Sequence, residues 1–203
     1  MAAAPTVMRV IAGSLGGRRL IAVPGSSTRP TAERVREALF SRLQSRYDLT
    51  GIDVLDLFAG TGALGIEALS RGARSLVSVE RNRKAARVLV ENLKACGLEG
   101  TAELIVEDVA AALARIGRGG RRFEGIFVDP PYGRDIGAEV LETLARSELL
   151  AAACWVSVEG ARDDPLPASA GPLVRVREDV YGDTRISLYE VRQVSEDLDQ
   201  EQP

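Results

Sequence analysis

The strongest constraint on this chain is a unit that begins at Ile52 and repeats. An apolar run, "IDVLDLFA", leads through glycines into a stretch of helical spacing over 63–71 that Gly72 closes. The unit then returns. "SLVSVE" precedes a helix over 82–96 closed by Gly97, "AELIVED" a helix at about 109–116, and "GIFVD" a helix at about 136–146. A fifth apolar run, "CWVSVE", follows. Strands separated by helices at this spacing require right-handed crossovers. They predict an α/β fold built on a doubly wound, mostly parallel sheet.

Both ends break the rhythm. "VRVREDVY" and "TRISLYEVR" are separated only by Gly182 and Asp183, too short for a crossover, which predicts an antiparallel hairpin finishing the sheet. At the other end, "MRVIAGSLGGRRLIAV" alternates about Gly16 and Gly17 and predicts a β-hairpin of residues 8–13 with 18–23. "PGSSTRPT" reads as loop, and Thr31 as the cap of a helix with Val35, Leu39 and Leu43 on one face. The chain divides into a tail (1–7), a hairpin and helix extension (8–47), a core (48–192) and an acidic tail (193–203).

Composition narrows the chemistry. The 203 residues include no histidine, which removes Ser-His-Asp and Cys-His catalysis and any imidazole metal site. Cys96 and Cys154 are too few for structural zinc and suit buried thiols, so no metal is expected. No apolar run reaches the ~20 residues of a membrane span, and the N-terminus lacks a signal pattern. A cytoplasmic monomer is the expectation. Residues 1–47 hold eight arginines against Glu33 and Glu37, a net of +6 in a chain whose total is −3. Such an arm fits a polyanionic partner, although a solvated charged face gives the same count.

"DLFAGTGALG" carries Gly60, Gly62 and Gly65 in G-x-G-x-x-G spacing between strand and helix, with Glu80 at the end of the next strand. That pattern alone fits a dinucleotide as well as other nucleotide-like ligands. Asp56 separates them. A carboxylate at that strand end repels a pyrophosphate and attracts S-adenosylmethionine, which carries an ammonium and a sulfonium. Glu80 is then placed for the ribose hydroxyls and Asp108 for the adenine amino group. The plainer readings are a solvated acid at 56, an ion pair from Glu80 to Arg81 or Arg83, and a helix cap at 108.

The fourth strand ends on Asp129-Pro130-Pro131-Tyr132. Prolines stiffen a loop and remove competing donors. An exocyclic amine on a nucleobase is a poor nucleophile, because its lone pair is delocalised into the ring. Two acceptors, the Asp129 carboxylate and the Pro130 carbonyl, would hold that lone pair toward a methyl donor, while Tyr132 offers a face for a flipped base. The plainer reading is a proline turn that caps a strand.

With these motifs placed, the chain resembles the class I methyltransferases, and within them the RsmD-type ribosomal RNA guanine-N2 methyltransferases. The resemblance runs from about residue 8 to 192 through "RVIAGSLGGRRL", "RPTAERVREALF", "VLDLFAGTGALGIEALSRGA", "VDPPYG" and "YGDTRISLYE". The first, second and last matter most, because DNA amino-methyltransferases share the glycine loop and the D-P-P-Y turn. The resemblance implies a Rossmann-like sheet of seven strands in the order 3-2-1-4-5-7-6. It implies methyl transfer from S-adenosylmethionine to N2 of a guanine in 16S RNA, on the small ribosomal subunit or an assembly intermediate. A non-catalytic assembly factor is the alternative from another class. Asp56, Phe58, Gly60, Gly62, Glu80, Arg81, Asp108, Val109 and Asp129 would hold the cofactor, and Asp129, Pro130, Pro131 and Tyr132 would handle the base. Arg9, Arg18, Arg19, Arg29, Arg34 and Arg36 would contact RNA phosphates. Glu124, where relatives are expected to carry an aspartate, is expected to face solvent.

Overall fold

The computed structural model describes residues 8–23, 30–131 and 135–192. The expected tails, Arg29 and Tyr132 lie outside the described residues. The helices are α1 (Pro30–Arg46), α2 (Ala63–Ser70), α3 (Arg83–Cys96), α4 (Val109–Gly117) and α5 (Ile136–Ala145). The strands are β1 (Asp53–Leu57), β2 (Ser75–Val79), β3 (Ala102–Ile105), β4 (Phe123–Val128), β5 (Leu150–Ala161), β6 (Ser169–Ala170), β7 (Leu173–Tyr181) and β8 (Thr184–Val191). They form one sheet in the order β3-β2-β1-β4-β5-β8-β7-β6. The first five strands are parallel, and β8 runs antiparallel against β5. The expected seven-strand order is kept. One further strand, only two residues long, is added beyond β7.

Two layers of helix cover the sheet, as the period of two along each strand dictates. Leu55, Leu57, Val77, Val79, Ile126 and Val128 face α4 and α5. The opposite face buries Val54, Leu76, Phe127 and Trp155 beneath α1, α2 and α3. Phe127 packs at 5.6 Å from Phe40 of α1 and 5.1 Å from Trp155. Helix α1 therefore buries its apolar side on the same sheet that carries the glycine loop. Among the described residues no helix is long and apolar enough to cross a membrane.

The N-terminal arm forms a shorter hairpin than the expected pairing of 8–13 with 18–23. Around an antiparallel bridge of Arg9 with Arg19, the Val10 amide donates to the Arg18 carbonyl at 2.9 Å and the Leu20 amide to the Met8 carbonyl at 2.8 Å. The amides beyond it turn to the core. Ile11 and Ala12 donate to the Glu67 carboxylate of α2 at 2.7 and 3.0 Å, and Ile21 donates to Asn92 Oδ1 of α3 at 2.7 Å. Backbone groups bonded by side chains have no need of a partner strand. Helix α1 starts at Pro30 rather than after a Thr31 cap, in keeping with the fit of proline to a first helical position. Glu124, expected to face solvent, accepts from the Asp53 amide at 2.8 Å.

Candidate active site

Strand β1 enters α2 through a tight turn. Phe58, at φ 62°, is the one non-glycine residue with positive φ among those described, a costly conformation for an aromatic residue. Gly62 is left-handed at φ 79° and caps α2. A Cβ on Gly65 would lie 2.6 Å from Leu76, so a glycine is needed for α2 to pack this close to β2. The loop amides point inward. Gly60 donates to Glu80 Oε2 at 2.8 Å, Gly62 to the Ala59 carbonyl at 2.7 Å and Gly65 to Asp56 Oδ2 at 3.1 Å. A phosphate cradle needs such N–H groups free and aimed at the ligand. Here two carboxylates and a backbone carbonyl hold them, and the loop does not fit a pyrophosphate.

The acids divide by depth. Asp56 is 1% exposed, and burial pushes its carboxyl up to about 7, opposed by the Gly65 hydrogen bond and helped by the charge on Glu80. Glu80, expected to be open to the ribose, already accepts from two amides, Gly60 and Asn82 (2.6 Å). Each of its oxygens keeps a further lone pair. Asp108 caps α4 by accepting from Ala110 at 3.0 Å, and its other oxygen lies 3.6 Å from the Arg81 guanidinium. The plain reading of Asp108 as a cap thus holds alongside its place at the rim.

Phe58, Arg81, Asp108, Val109 and Pro131 line one cavity of about 210 Å³. That is smaller than the ~300 Å³ lower end of typical ligand sites, so it accommodates one end of a ligand. A larger groove of about 570 Å³ between α3 and β3 holds none of the motif residues and lacks convergent acids.

Asp129 does not line this cavity but precedes Pro131, which does, by two residues. Its amide donates to the Leu57 carbonyl at 3.3 Å, which keeps it in line with β1 past the end of β4. Among the described residues no hydrogen bond reaches its carboxylate. Burial, then the charges of Glu159 and Asp56, hold that carboxyl well above the usual carboxylate range. Pro130 is buried, while Pro131 is exposed on the cavity wall. Phe58, leading into the glycine loop, and Pro131 of the acid-proline turn therefore line one cavity at the carboxyl ends of β1 and β4, where ligands bind in doubly wound sheets.

Residues 8–190 match the model of the family described as conserved hypothetical protein 95. The chain belongs to this family, the RsmD-type methyltransferases. It is 40% identical over 185 residues to the protein YlbH of Bacillus subtilis (strain 168), covering 91% of this chain and all of that one. It is 34% identical over 183 residues to ribosomal RNA small subunit methyltransferase D of Escherichia coli (strain K12), covering 90% of this chain and 89% of that protein. The solved structure of the Escherichia coli protein yhhF matches with a TM-score of 0.79 at 34% identity, over 91% of this chain and 97% of that one.

In this RsmD-type chain the arm's arginines do not form one group. Arg9 pairs with Glu33 at 2.9 Å, and Arg18 donates to the Ala95 carbonyl at the end of α3. Arg36 is buried and donates to the Arg9 carbonyl at 2.5 Å. It is turned into the fold, away from any phosphate, because the arm packs over it. Arg19 and Arg34 are exposed with no ion pair among the described residues. Glu159, at the end of β5, belongs to the acid cluster and is absent from the sequence reading. The signal was present, since "CWVSVE" closes on an acid as the other parallel strands do.

Proposed function

We infer that this chain transfers a methyl group from S-adenosylmethionine to the exocyclic N2 of a guanine in 16S ribosomal RNA, acting in the cytoplasm on the small subunit or an assembly intermediate. The observation that carries the reading is the meeting of the two motifs at the carboxyl ends of β1 and β4: Phe58, which leads into the glycine loop, and Pro131, which follows Asp129, line the same cavity. Family membership and the name of the Escherichia coli relative support the substrate class.

The donor set fits the cofactor. Arg81, Asp108, Val109 and Phe58 line a space for its adenine end, and Glu80 keeps lone pairs for its ribose. Asp56 and Asp129 supply raised carboxyls that a cationic end would draw into their charged form. When bound, S-adenosylmethionine supplies a methyl group already activated by a sulfonium. Asp129 accepts a hydrogen bond from the amine, turns the nitrogen lone pair toward the methyl group and stabilises charge that develops on nitrogen. A raised carboxyl is also a better acceptor for the proton that nitrogen loses. Tyr132, outside the described residues, keeps its proposed role as the stacking face. Arg19 and Arg34 are the arm cations best placed to follow phosphates.

Small subunits from a strain lacking the enzyme provide the test. Incubation with the protein and S-adenosylmethionine, followed by nucleoside mass spectrometry, is expected to give N2-methylguanosine in 16S RNA. Methylation of naked duplex DNA with none in the subunits would overturn the assignment.

A further inference from the structure

An acceptor for an exocyclic amine does not by itself choose a base. Guanine, adenine and cytosine all carry such an amine. They differ in the ring atom next to it: guanine presents N1–H, a donor, whereas adenine N1 and cytosine N3 are acceptors. A site that takes guanine alone needs a second acceptor beside the first.

The sheet supplies one. Leu57 pairs with Val128, and Val128 with Val158, across three adjacent parallel strands. One residue further along, Phe58, Asp129 and Glu159 stand at neighbouring positions on the rim. Side chains alternate along each strand, so Glu159 shares a face with Asp129, Phe127 and Asp56. It is half-buried and close enough for its charge to act on the Asp129 carboxyl. We propose that Glu159 selects guanine, accepting the N1–H of the base whose exocyclic amine Asp129 holds. This rests on the methyl-transfer reading above. A carboxylate has roughly four lone-pair directions, so other bonds to Glu159 leave room for a base edge. Against adenine or cytosine the same carboxylate faces a ring lone pair, and neither partner is satisfied. Sites built to receive an N–H reject analogues that lack it far more strongly than apolar pockets reject a missing methylene.

2-Aminopurine separates the two roles, because it keeps the amine at C2 and lacks N1–H. The experiment uses small subunits reconstituted with 16S RNA that carries guanine or 2-aminopurine at the position the wild-type protein methylates. Single-turnover rates are measured for wild type and for Glu159→Gln. Wild type is expected to prefer guanine by about 100-fold, the scale of a lost charged hydrogen bond. The amide of the variant can donate to N1 of 2-aminopurine, so its preference is expected to fall below about tenfold. Wild type that methylates both bases equally would overturn the proposal, as would a variant that keeps the full wild-type preference. If the variant fails to bind S-adenosylhomocysteine, the wild-type ratio alone decides. Absence of any guanine methylation by wild type would instead contradict the underlying function.

Discussion

Two sets of acids lie on the same side of the sheet, and the fold treats them in opposite ways. Glu67, on α2, is fully buried and fully compensated. It accepts from the Arg71 guanidinium at 2.7 Å and from the amides of Ile11 and Ala12, and Arg71 lies 4.9 Å over the Phe40 ring. Among the described residues, Asp56 and Asp129 have one amide between them, from Gly65, and the neighbours that shift them include further acids. Asp129 is only half-buried, whereas Glu67 and Asp56 are buried, and the two sets have different uses. The first set clasps the arm to the core, whereas the second holds negative charge in reserve for a cationic ligand and an amine.

The contrast breaks if the second set proves to be structural. Asp129→Asn is expected to lower single-turnover methyl transfer about 1,000-fold, the upper range for one preorganised polar group, while calorimetry finds S-adenosylhomocysteine bound at near wild-type affinity. A rate within tenfold of wild type would remove Asp129 from the chemistry. Glu67→Ala is expected to cost about 3–5 kcal/mol in denaturant unfolding, since it leaves a buried guanidinium and two amides unpaired. A loss under about 1 kcal/mol would erase the difference between the two sets.

Asp56 sharpens the contrast through pH. Its carboxyl keeps its proton up to about 7 in the folded chain, against an ordinary value of 3.8. The folded state therefore binds the extra proton between those values. The stabilisation is full below about 4 and is lost as the pH rises through about 7, on the order of 1 kcal/mol per pH unit at most. Unfolding curves across that window should be shallower in pH for Asp56→Asn than for the wild type, with a remainder of the same sign from Asp129. Identical slopes would mean that Asp56 is solvated.

The smallest effect concerns the arm. Replacing Arg19 and Arg34 together by alanine is expected to flatten the salt dependence of subunit binding by about two units of slope, with unfolding unchanged. Arg36→Ala is expected to lower stability instead, because Arg36 is buried. An unchanged slope in the first variant would make the arm a solvated face.

Much of this was legible in the sequence, for physical reasons. The central strands announced themselves because parallel strands buried on both faces read as short apolar runs, and the glycine closing α3 is a C-cap with φ 70°. The acids at strand ends were legible because few structural needs put a carboxylate there. The arm was less so. Its alternation marks the short hairpin, yet the amides of Ile11, Ala12 and Ile21 are satisfied by Glu67 and Asn92, some 55 to 71 residues away. Local pattern carries no trace of such a bond. The burial of Arg36 was hidden for the same reason, and β6, at two residues, is too short to leave a period.

Isothermal titration of the ligand-free protein with S-adenosylhomocysteine and, separately, with NAD tests most directly whether the cleft is built for a cation. Binding of the first, which keeps the ammonium, with none detectable for the second at the same concentrations, is the predicted result. NAD binding as tightly or more tightly would contradict it, for a pyrophosphate could not then be excluded by the acids behind the glycine loop.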